Sequence, residues 1–72
     1  MVNVYFSDNF ENDIFIATCQ KDFVMKYIRD FINKCNNKFV MYYCRTWKDE
    51  NDNKKTWYDV GSHSEFFYTI EV

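Results

Sequence analysis

The sequence predicts a single α+β domain of order ββαβββ, a mostly antiparallel sheet with one helix packed on one face. Three observations predict it. Five short stretches alternate apolar and polar residues, the period-2 signature of half-buried strands. One stretch, from Phe23 to Cys35, repeats at helical period instead. The chain has 72 residues, no proline and one glycine, so residues 1–72 form one domain without linkers.

The elements follow in order. Val2, Val4 and Phe6 alternate with Asn3, Tyr5 and Ser7, which makes residues 2–7 the first strand. Residues 8–13 are polar and turn-like apart from Phe10, and Asn9 and Asn12 suit a tight connection. Residues 14–19 form the second strand, with Ile14 and Ile16 opposing Phe15 and Ala17.

Phe23, Val24, Tyr27, Ile28, Phe31, Ile32 and Cys35 trace one apolar stripe along a helix, with Lys21, Asp22, Lys26, Arg29, Asp30, Asn33 and Lys34 on its other side. Asp22 near the start and Lys34 near the end complement the helix dipole. Asn36 and Asn37 suit the left-handed conformation that ends a helix.

Residues 39–47 are the third strand, residues 48–55 a polar loop, and residues 56–60 the fourth strand. Gly61-Ser62-His63-Ser64 is a turn, with the serine hydroxyls capping it, and residues 65–72 are the last strand. Both faces of these strands carry large side chains, Met41, Tyr43, Trp47, Tyr58, Phe66, Tyr68 and Ile70 or their alternates on one and Tyr42, Trp57 and Phe67 on the other, and alternation does not say which face the helix covers.

Sixteen of the residues are Phe, Tyr or Trp, more than one helix on a small sheet can cover. The surplus predicts a second, aromatic face, and contiguous apolar patches mark interaction sites. The folded surface expected from the mass is roughly 5,000 Å². One standard interface takes about 800 Å² of that from each partner.

Charge narrows the partner. A net charge of −2 and a pI of about 5.2 disfavour direct nucleic-acid binding, which Lys and Arg drive. No apolar run approaches the ~20 residues of a membrane span. The start Met1-Val2-Asn3-Val4 has no basic segment before an apolar one, so a secretory leader is not expected and the chain reads as cytoplasmic.

Catalytic and metal-binding patterns are weak. Cys19, Cys35 and Cys44 form no CxxC pair and read as reduced thiols. His63 lies between Ser62 and Ser64, but adjacent side chains diverge and no third group is in place to orient a base. Asp49-Glu50-Asn51-Asp52-Asn53 resembles the opening of a calcium loop. It has Lys54 where glycine makes the turn and Val60 where a bidentate glutamate belongs. Asp59 and Glu65 lack a cleft that would separate their pKa values. No catalytic residue, metal or cofactor is expected.

Arg45-Thr46-Trp47 and the run from Thr56 to Tyr68, with Val4-Tyr5 and Ile14-Phe15-Ile16-Ala17-Thr18 upstream, resemble small uncharacterised proteins of phages of low-GC Gram-positive bacteria. The resemblance implies a bacterial cytoplasmic setting and an inhibitor of host or defence machinery, anti-CRISPR proteins included. It carries over no functional residues.

The expected function is inhibition by binding a host or defence protein, such as a nucleic-acid-handling nuclease. Tyr42, Arg45, Trp47, Trp57, Tyr58 and Phe67 are the expected anchors, the residue types that dominate interface energies. Asp49, Glu50, Asp52, Asp59 and Glu65 form an acidic rim that would speed encounter with a basic target. The alternative is a homo-oligomer that sequesters a nucleotide signal. Aromatic rings would stack on the base, and Arg45, Lys54 or Lys55 would hold phosphate. A homodimer through the surplus face is a further expectation.

Overall fold

A computed structural model describes residues 1–8, 12–34, 41–62 and 64–72. It has five strands, β1 (Val2–Asp8), β2 (Asn12–Cys19), β3 (Arg45–Lys48), β4 (Lys55–Asp59) and β5 (Glu65–Glu71). The helical segment is a 3₁₀ turn (Lys21–Phe23) that runs into α1 (Val24–Asn33). The order is ββαβββ, and all four strand pairings are antiparallel.

The strands lie in the order β2-β1-β5-β4-β3. The first and last strands are therefore central neighbours, paired Val2↔Glu71 through Asp8↔Glu65. The chain leaves the sheet at one edge, β2, and re-enters at the other, β3. The segment between them must cross a face of the sheet, and it carries the helix.

The strand β1 decides which face. Its Val2, Val4 and Phe6 are buried, and they meet Val24, Ile28 and Ile32 of α1 with Cys19, Val60 and Phe67. Ile28, Val4, Val60 and Phe67 have no exposed surface. Phe6 and Phe67 are register partners, and their rings lie 5.2 Å apart, with Phe31 of the helix 4.8 Å from Phe6 and 5.7 Å from Phe67. These rings tie the helix to the two central strands.

Several boundaries differ from the sequence reading. The helix begins as a 3₁₀ turn, which rotates Phe23 out of the apolar stripe and leaves it half exposed, while Met25 packs against the core instead. Strand β2 begins at Asn12, and a bulge facing Val4 and Tyr5 puts one extra residue opposite β1. Strand β3 is four residues long, and Met41–Cys44 are not in a strand.

The cause of that short strand is local. The backbone N–H groups of Tyr42 and Tyr43 both point to the Val60 carbonyl, at 2.9 and 3.4 Å, so two residues oppose one and the ladder stops. Gly61 beneath them has φ +86°, and a Cβ there would stand 2.9 Å from Cε2 of Tyr43. Only glycine fits both the backbone and the space. Lys48 and Lys55 belong to strands, which trims the polar loop to residues 49–54. The expectations for Asn9, Phe10, Cys35, Asn36, Asn37, Phe39, Val40 and His63 lie outside the described residues.

Candidate functional site: an aromatic row across the sheet

Directly paired residues of an antiparallel sheet share a face. The register therefore aligns Phe15↔Tyr5↔Tyr68↔Trp57↔Trp47, one ring from each of the five strands. The row runs across the face opposite the helix. Tyr5 stacks on Tyr68 at 4.9 Å between centroids and meets Phe15 edge-on at 5.6 Å. Trp57 lies 5.1 Å from Tyr68, and Phe66 of the adjacent row meets Trp57 edge-on at 6.4 Å. The two ends of the row are the open ones. Phe15 is 55 % exposed and Trp47 41 %, whereas Tyr68 at the centre is 7 %.

The split of faces differs from the sequence reading in one respect that matters. Trp47 and Trp57 are register partners and share the open face with Phe66, Tyr68 and Ile70. Tyr58 and Phe67 point to the helix side, where Tyr58 is partly buried against the core. Phe67, expected as a partner anchor, is a core residue with 0 % exposure. It cannot reach a partner in the folded chain. Tyr42 is exposed, but it lies in the 41–44 segment beside Gly61 and not in the aromatic row.

Polar groups around the row hold its rings in place. The Trp57 indole N–H donates to Oδ2 of Asp49 at 2.8 Å. The Tyr68 hydroxyl donates to Oδ2 of Asp13 at 2.7 Å. Arg45 donates to Oδ2 of Asp59 at 2.9 Å, and its guanidinium lies 5.8 Å from the Trp47 ring. The Lys55 ammonium sits over both Trp57 (4.4 Å) and Tyr68 (4.3 Å), a cation–π arrangement that covers the middle of the row.

The predicted acidic rim is thus largely engaged with the protein's own donors. Asp49 accepts from Trp57 and from the Asn51 backbone, and these bonds hold its carboxyl below the usual range. Asp59 is buried, bonded to Arg45 and to the Gly61 N–H. Glu65 accepts from Ser62 through one oxygen and from Ser64 at 2.5 Å through the other. Both serine hydroxyls thus donate to the Glu65 carboxylate. Asp52 accepts from the Lys54 N–H and shapes the hairpin loop. Glu50 is exposed.

Two tyrosines titrate late. Burial, and then the bond to Asp13, push Tyr68 far above the ordinary phenol range, and burial raises Tyr58. Cys19 is buried, and the Cys44 thiol lies 3.7 Å from Sδ of Met25. Desolvation, with Asp59 adding to it, raises the Cys44 thiol, which keeps it protonated and weakly nucleophilic at neutral pH. Among the described residues no three His, Cys, Asp or Glu side chains come together to hold a metal ion. No helix among them is long and apolar enough to cross a membrane.

Alternation by itself assigns no site role to three residues of this face: it places Tyr5 on the polar side of its strand and does not mark Phe15 or Asp13. Their signal was an aromatic on the side of β1 away from Val2, Val4 and Phe6.

The chain matches no protein-family model, no curated protein and no solved structure.

Proposed function

We propose that this chain is a binding protein that inhibits a host or bacterial defence protein by docking the aromatic face of its sheet onto it. The observation that carries the reading is the in-register row of five rings on the face away from the helix. Rigid aromatic anchors with little entropy left to lose are what binding surfaces use. Hydrogen bonds to Asp49 and Asp13 and the Arg45–Asp59 pair supply that rigidity before any partner arrives. The total surface is 4979 Å², so one standard contact of about 800 Å² would occupy much of this face. The inhibitory role and the phage setting rest on the sequence resemblance alone.

The test is a DNA-cleavage assay with CRISPR nucleases of low-GC Gram-positive bacteria. Wild type should block at least one nuclease, and Phe15→Ala should relieve the block while the fold is kept. A panel with no inhibition, or a Phe15→Ala variant that inhibits as well as wild type, would overturn the assignment.

One observation favours the nucleotide reading as second. Lys55 and Arg45 place cations against the rings of the same face, as a stacked nucleotide with a phosphate requires. Asp13, Asp49 and Asp59 line that face too, which counts against a phosphate. Excess absorbance at 260 nm in purified protein would raise this reading to first.

A further inference from the structure

The strand β3 is the outer edge of the sheet, and all four of its residues are exposed. The Asp49 N–H donates inward to the Lys55 carbonyl at 2.9 Å, and the pairing Arg45↔Asp59 to Lys48↔Thr56 continues that register. Alternation then turns the backbone groups of Arg45, Trp47 and Asp49 toward β4 and those of Thr46 and Lys48 outward. The regular stretch is bounded by the doubled Tyr42 and Tyr43 bonds to Val60 on one side and the hairpin loop on the other. Trp47 is the midpoint of the stretch 45–49.

We propose that β3 pairs with β3 of a second copy, antiparallel, about a two-fold axis through Trp47. This register uses the outward groups as they stand. Thr46 and Lys48 of the second copy exchange two backbone hydrogen bonds, and symmetry makes four. Trp47 faces Trp47 of the second copy as a non-hydrogen-bonded pair, the arrangement in which side chains lie closest. Arg45 falls opposite Asp49 of the second copy, so opposite charges meet on the open face and like charges do not.

The neighbouring register, centred on Thr46, places Lys48 opposite Cys44, outside the strand, and offers no opposite-charge pair within β3. The Trp47-centred dimer joins two five-stranded sheets into one and makes a single aromatic row of two five-ring halves. A four-residue strand makes a small contact, so association is weak and visible only at high concentration. Edge strands are normally blunted by shortness, charged side chains, proline, a bulge or a cover. Among the described residues β3 has neither proline nor a cover, and its shortness, its charges Arg45 and Lys48 and the doubled bonds at Tyr42 and Tyr43 confine pairing to this one short register.

Sedimentation equilibrium from micromolar to millimolar protein should show a reversible monomer–dimer equilibrium. Thr46→Pro removes an outward N–H from each copy without touching the bonds to β4, and proline is tolerated at such an edge position. It should weaken dimerisation by about tenfold, the effect of losing two net hydrogen bonds. Trp47→Cys in a Cys44→Ser background, oxidised with diamide, should give a dimer cross-linked 47 to 47. The Cα spacing of a non-hydrogen-bonded pair suits a disulfide. A wild type that stays monomeric throughout, a dimer unaffected by Thr46→Pro, or a cross-link that maps elsewhere would each overturn the proposal. None of these outcomes depends on whether Phe15→Ala relieves nuclease inhibition.

Discussion

The two faces of β5 carry similar residues and do opposite work. Phe67 and Thr69 face the helix, and Phe66, Tyr68 and Ile70 face away. Phe67 touches Phe6 and Phe31 and is fully buried. Its ring is part of what makes the chain fold. Tyr68 is nearly as buried, but by Tyr5, Trp57 and the ammonium of Lys55 on its own face. Burial alone does not separate core from surface in so small a sheet. What separates them is whether a second layer supplies the contacts or neighbours within the same face do.

This contrast can be broken most sharply at the buried end. Phe67→Ala should cost about 3–5 kcal/mol, against a total of roughly 4–11 kcal/mol for a chain of this length. Loss of cooperative thermal unfolding by circular dichroism is the expected result. Phe15→Ala, at the exposed end of the other face, should cost within about 1 kcal/mol and leave the unfolding transition intact. Equal losses for both would mean that the aromatic row is structural and would remove its claim to be a binding surface.

Gly61→Ala comes next, with a destabilisation of about 1–3 kcal/mol from the positive φ and the approach of Tyr43. Chemical denaturation of the variant measures it. A neutral result would show that the 41–44 segment moves aside without cost.

The pH dependence sharpens the comparison further. Asp49 is lowered by its bond to Trp57, so the stability it supplies is present above its unfolded value of 3.8 and is lost as pH falls through the folded value. Glu71, lowered by Lys21 and then Lys48, behaves in the same way from 4.5 downward. Tyr68 and Tyr58 are raised, so their share is present below 10.0 and is lost as pH rises through their folded values. The thermal midpoint should therefore fall on both the acid and the alkaline side. Tyrosinate absorbance at 295 nm should show these two phenols ionising above the ordinary phenol range. The smallest effect expected is that of Asp49→Ala, which removes this acceptor from the Trp57 indole and should shift tryptophan emission with little change in stability.

The local pattern of β1 was unambiguous, since Val2, Val4 and Phe6 stand against Asn3, Tyr5 and Ser7. The helical stripe of Val24, Ile28 and Ile32 was equally plain, because a 3.6-residue period has few competing explanations. The faces of β4 and β5 were not legible in the same way. Large side chains occupy both sides of each, so alternation says that two faces exist and not which one the helix covers. The answer came from the pairing of Phe6 with Phe67, a contact between the two ends of the chain. Without that pairing, alternation lets Phe67 read as a partner-facing residue and puts Trp57 on the face opposite Trp47, whereas the register sets the two tryptophans side by side.

Sequence by itself determined the kinds of element and their order, because hydrophobic period and turn chemistry act over a few residues. It also determined that more aromatic surface exists than one helix can cover. Tertiary structure decided the strand order, the covered face, the alignment of Phe15, Tyr5, Tyr68, Trp57 and Trp47 into one row, and the use of Asp13, Asp49 and Asp59 to hold it. Each of these depends on register between strands distant in the chain. A slip of one residue would reverse every side chain, and nothing local to any single strand sets that register.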